Sequence, residues 1–101
     1  MEHIAILEKS FDKLIQCKSL KILIHCILNK INIVLDELDI EFDESLMSGV
    51  VSDVYNTYKD KDHFVWELDI IPNTTIRLVF SKQYNDWFVS THFKYWVEKV
   101  L

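Results

Sequence analysis

Glycine and proline are almost missing from this sequence, with Gly49 and Pro72 the sole examples in 101 residues. Collagen-like, low-complexity and linker-rich chains depend on those residues and are excluded. Arginine is scarce as well. Arg77 stands alone, and the interval between Lys30 and Lys59 holds none of the 11 cations. Phosphate contacts rest on clustered Lys and Arg, so direct nucleic-acid binding is not expected. The two cysteines, Cys17 and Cys26, lie nine residues apart with no Cys-x2-Cys or His-x3-His pair near them. That spacing argues against a zinc site, and we expect both thiols to be reduced and buried like small hydrophobes.

Other absences narrow the function. There is no phosphate-binding glycine loop and no nucleophile elbow, so we expect neither an enzyme nor a cofactor. The charged Met-Glu-His start lacks the basic-then-apolar layout of a signal peptide. The most apolar interval, 20–38, is broken by Lys21, His25, Asn29, Lys30, Asn32 and Asp36, whereas a spanning helix needs about 20 predominantly apolar residues. A cytoplasmic protein is the expectation.

What is present is apolar residue in quantity: half the chain is hydrophobic and 13% is aromatic. A chain of this length buries one core without metal or disulfide support, so residues 1–101 form a single domain. Ile4, Leu7, Phe11, Leu14 and Ile15 recur at three- and four-residue steps, which predicts a helix from about 2 to 17. Ser19 is a candidate N-cap for a second helix. Its stripe of Leu20, Leu23, Ile24, Ile27, Leu28, Ile31, Val34, Leu35 and Leu38 is joined by Ile22 and Ile33, so the helix is expected to be apolar on most sides and to run through the middle of the domain. Asp43 then caps a third helix to about 59, with Phe42 and Met47 as a hydrophobic staple.

Beyond the Lys59–Asp62 break the period changes to two. Phe64, Trp66, Leu68 and Ile70 share one face of a strand, Ile76, Leu78 and Phe80 one face of a second, and Trp87, Val89, Thr91 and Phe93 one face of a third. Turns at Pro72-Asn73-Thr74 and 83–86 join them into a meander. Phe93, Trp96, Val97 and Val100 return to helical spacing. The expected fold is α+β: three N-terminal helices packed on a three-stranded antiparallel meander, with a short C-terminal helix.

The feature with most bearing on function is the acidic interval from Leu35 to Ser45. Asp36, Glu37, Asp39, Glu41, Asp43 and Glu44 alternate with Leu38, Ile40 and Phe42. The alternation fits an edge strand, an extended connector or a continued helix, of which the connector is favoured. A Ca²⁺ loop starting at Asp39 would need Gly where Glu44 stands and Glu where Val50 stands, which excludes that reading. Residues 31–58 carry seven acids and no base, more than the whole net charge of −5. A one-sign surface of this kind steers association with a basic partner. Tyr55, Tyr58 and Tyr84, near a helix end or in a turn, are candidate aromatic anchors.

A short acidic domain with these carboxylates, accessible aromatics and no catalytic set resembles the immunity proteins that bacteria make alongside contact-delivered toxins, the contact-dependent growth inhibition type among them. The resemblance implies stoichiometric occlusion of a toxin, a nuclease being the fitting class. It further implies that the six carboxylates stand in for substrate phosphates, with Tyr55, Tyr58 or Tyr84 as apolar anchors. The same residues would serve a phage-encoded nucleic-acid mimic that blocks a host defence nuclease. A third alternative is a small oligomerisation module, with the helix around Ile22 and Ile33 as its dimer face. Monomer or dimer is left open.

Overall fold

A computed structural model describes residues 9–11, 13–40, 47–71 and 74–95. The elements are β1 (Ile15–Cys17), α1 (Leu20–Glu37), α2 (Met47–Tyr58), β2 (His63–Ile71), β3 (Thr74–Gln83) and β4 (Asp86–Tyr95). Neighbouring strands are all antiparallel, in the order β1-β4-β3-β2.

The expected three helices on a three-stranded meander with a C-terminal helix are corrected at both ends. Beyond residues 9 and 10, the described residues form two helices and a four-stranded antiparallel sheet. Residues 9 and 10 are helical, but the expected first helix does not reach 17. Instead Ile15, Gln16 and Cys17 pair with Val89, Phe88 and Trp87. Helical periodicity placed Leu14 and Ile15 on one buried stripe, yet Leu14 is 63% exposed while Ile15 packs against the core. Pairing with the free edge of β4 satisfies backbone groups and decides the local conformation over the periodic pattern. At the other end Phe93 lies within β4, which runs to Tyr95. Trp96, Val97 and Val100, the expected cap and staple at Asp43, Phe42 and Met47, and the Pro72-Asn73 turn fall outside the described residues or rest on residues outside them.

Within those corrections the local rules hold. Ser19 sits in an extended conformation, and its Oγ accepts a bond from the Ile22 N–H at 3.3 Å, so it caps α1 as expected. Leu20, Leu23, Ile24, Ile27, Leu28, Ile31, Val34 and Leu35 are buried on one side of that helix. Ile22 and Ile33 are 55% and 50% exposed, so α1 is a one-sided surface helix and not a central one. It packs on β1, β4 and α2.

The three long strands each alternate, with one face toward the core. Phe64, Phe80, Val89 and Ile15 are register partners in a row across all four strands. Phe64 is held between two rings: Tyr58 from the end of α2 stacks on one side at 4.3 Å and Phe80 on the other at 4.5 Å. Trp87 meets Phe64 edge-on at 6.1 Å, a geometry favoured by the ring quadrupoles. The opposite face is mixed, with Val65, Val79 and Phe88 beside polar side chains. Arg77 donates through Nε and Nη2 to Glu67 Oε1 at 3.1 and 3.0 Å, and Thr75 Oγ1 donates to Asp69 Oδ1 at 2.7 Å.

The β3–β4 connection is a two-residue hairpin. Tyr84 and Asn85 have φ of 52° and 69° between the paired Gln83 and Asp86, the type I′ requirement of two left-handed central residues. Asn suits that requirement; a tyrosine does not. Because Tyr84 is 98% exposed, no packing offsets the backbone cost. Tyr84→Asn is expected to stabilise the domain by about 0.5–1 kcal/mol, read as a rise in the denaturation midpoint at unchanged slope.

Candidate functional site

The acidic interval begins inside α1. Asp36 and Glu37 form its last turn, Leu38 is the C-cap, and Asp39 follows in the left-handed region at φ 57°. The chain then closes on itself: the Ile40 N–H donates to the Leu35 carbonyl at 2.8 Å and the Asp39 N–H to the Asp36 carbonyl at 3.1 Å. These two bonds define a Schellman motif. Ile40 packs against the core, and Asp36, Glu37 and Asp39 are left exposed around the helix end. Glu41, Asp43 and Glu44 lie outside the described residues.

Each of the three described carboxylates occupies a position better suited to another residue. The carboxyl end of a helix carries partial negative charge, so Asp36 and Glu37 each cost roughly 0.3–1 kcal/mol there. No base stands in that last turn to compensate. Asp39 fills the position where Gly is preferred, because a Cβ is unfavourable at positive φ. The helix tolerates this because eight of its side chains are buried, each contributing about 1.5–3 kcal/mol. Packing wins by an order of magnitude.

The tyrosines are not with these acids. Cys17 pairs with Trp87 three residues before α1 begins, and Gln16 Nε2 donates to Asp86 Oδ2 at 2.9 Å, so the β3–β4 turn with Tyr84 sits at the amino end of α1. Tyr55 is at the same end, with Lys21 Nζ 5.9 Å from its ring centroid. Glu37 closes an 18-residue helix, which places the acids about 27 Å away along the axis. The six described members of the nine expected partner-binding residues therefore do not form one patch. Tyr55 and Tyr58 are also half-buried, with Tyr58 spent on the Phe64 stack, while Tyr84 projects freely.

Of the two thiols, Cys17 is half-buried in β1, but Cys26 is exposed on α1, contrary to the expectation of a core thiol. It stands between Ile22 and Ile33 with Asn29. The +4, +3, +4 spacing of these residues is present in the sequence, but it is hidden by the longer run of core aliphatics on the other side of the helix.

Two shallow open grooves, of about 360 and 390 Å³, flank the outer half of β4 around His92. Among the described residues, Ser90 Oγ lies 3.1 Å from His92 Nε2. Both side chains stand on one strand, two residues apart. Among the described residues no carboxylate orients the imidazole, as a nucleophile–base pair requires. Nor is any group of three or more His, Cys, Asp or Glu placed to hold a metal ion among the described residues. No helix of the structure, among the described residues, is long and apolar enough to cross a membrane.

Comparison with protein-family models, with curated proteins and with solved structures returns no match. The functional reading therefore rests on the residues themselves.

Proposed function

We propose that this chain is an immunity-type inhibitor, which neutralises a toxin domain by docking the acidic carboxyl end of α1 against its basic cleft. One observation carries the reading. Asp36, Glu37 and Asp39 all occupy helix-end positions where a carboxylate opposes the local electrostatics or backbone geometry. Violations of local rules concentrate at functional sites, where stability is exchanged for activity. A basic surface brought against this helix end reverses the penalty: its Lys and Arg meet both the side-chain carboxylates and the negative end of the helix dipole. A nuclease fits as the toxin class, since its cleft is built to hold phosphate and accepts carboxylates in the same role.

The test starts from affinity capture in the native host and proceeds with the purified captured partner. Association is expected to slow steeply as salt rises across the range where the Debye length falls from about 10 Å to 3 Å. The D36N/E37Q/D39G variant is expected to lose most of that salt-dependent steering. Unchanged association by the variant would refute the proposed surface.

A further inference from the structure

We propose that the outward face of α1 is a self-complementary seam for a second copy of this chain, packed antiparallel across a two-fold axis. Ile22, Cys26, Asn29 and Ile33 are all exposed, and they form one line along the helix face opposite the buried stripe. Their +4, +3, +4 spacing is that of a coiled-coil seam, in which residues repeating every 3.5 positions face a partner helix. An antiparallel copy in register puts Ile22 opposite Ile33 and Cys26 opposite Asn29, each twice by symmetry. The same register brings the amino end of one helix, with Lys18 exposed just before the Ser19 cap, to the carboxyl end of the other copy, where Glu37 is exposed.

Charge selects the occupant. The seam is basic at its amino end and acidic at its carboxyl end, so a parallel copy would set like charges together and an antiparallel copy pairs opposite ones. Antiparallel packing also aligns the two helix dipoles favourably. Asn29 in the seam lowers affinity but penalises other registers, because its amide would then lie against Ile22 or Ile33. With two Ile22–Ile33 pairs and two Cys26–Asn29 pairs the interface is small, and a dissociation constant on the order of tens of micromolar is expected.

Sedimentation equilibrium of the full chain up to about 1 mM tests the seam, a range that spans the expected constant. The expected result is a concentration-dependent dimer. I22K/I33K, at exposed positions that leave the core intact, is expected to be monomeric throughout. K18E is expected to raise the dissociation constant about tenfold by facing Glu37, and K18E/E37K to restore it within about threefold by reversing both members of the pair. A monomer at every concentration overturns the inference, as does a dimer indifferent to I22K/I33K and K18E, which would use another surface. The inference does not depend on the basic-partner reading: I22K/I33K alters no carboxylate, and D39G alters a carboxylate outside the seam.

Discussion

The D36N/E37Q/D39G variant is expected to be more stable than the natural chain by about 1–3 kcal/mol in total. Two neutral amides in place of Asp36 and Glu37 remove the repulsion between carboxylates and the negative helix end. Glycine in place of Asp39 relieves the left-handed conformation that closes the Schellman motif. A small domain gains roughly 4–8 °C in melting temperature per kcal/mol, so the rise is expected to be readily measured by calorimetry. The stability contribution of the two amides should shrink in high salt, since it is electrostatic and at the surface, whereas that of glycine should not. A variant less stable than the natural chain would mean that these carboxylates hold the helix end together, and the reason for assigning them a functional role would disappear.

The opposite sign is expected in the core. Phe64→Ala should cost about 3–5 kcal/mol, a large share of the 5–15 kcal/mol that a domain of this kind commands. The ring is 5% exposed and holds Tyr58, Phe80 and Trp87 together. Its removal leaves a cavity between the end of α2 and strands β2 and β3 that rigid aromatic neighbours cannot fill. The adjacent Val65 provides the control. It is 41% exposed on the opposite face, and Val65→Ser should stay within about 0.5 kcal/mol of the natural chain. Equal losses at 64 and 65 would contradict the assignment of the two sheet faces.

Residues 64, 66 and 68, 76, 78 and 80, and 87, 89, 91 and 93 announced the three long strands because their alternation runs for several residues with one wet side. Ser19 announced α1 for a similarly local reason, since cap and stripe lie within one turn of each other. β1 could not be read in that way. Three residues are too few for a period, and Ile15-Gln16-Cys17 becomes a strand only because β4, seventy residues later in sequence, offers it an edge. Tertiary pairing of this range is invisible to any window along the chain.

The candidate site divides along the same line. Asp36, Glu37 and Asp39 were legible as an acidic cluster, but their unfavourable placement depends on where the helix stops, which rests on the fold around Leu35 and Ile40. The scatter of Tyr55, Tyr58 and Tyr84 away from the acids was equally hidden, because neither the strand order nor the β1–β4 pairing can be counted from spacing. Ile22 and Ile33 illustrate the converse error. Hydrophobicity alone assigns them to the interior, whereas among the described residues α1 has its sheet and helix neighbours on the side of its buried stripe.

The most direct test of the acidic docking surface is a paired measurement on D36N/E37Q/D39G, melting temperature and affinity for the captured basic partner, made in the same buffer. A higher melting temperature together with affinity at least about tenfold weaker is the expected result, the signature of carboxylates kept for binding at a cost in stability. A higher melting temperature with unchanged affinity would contradict that account.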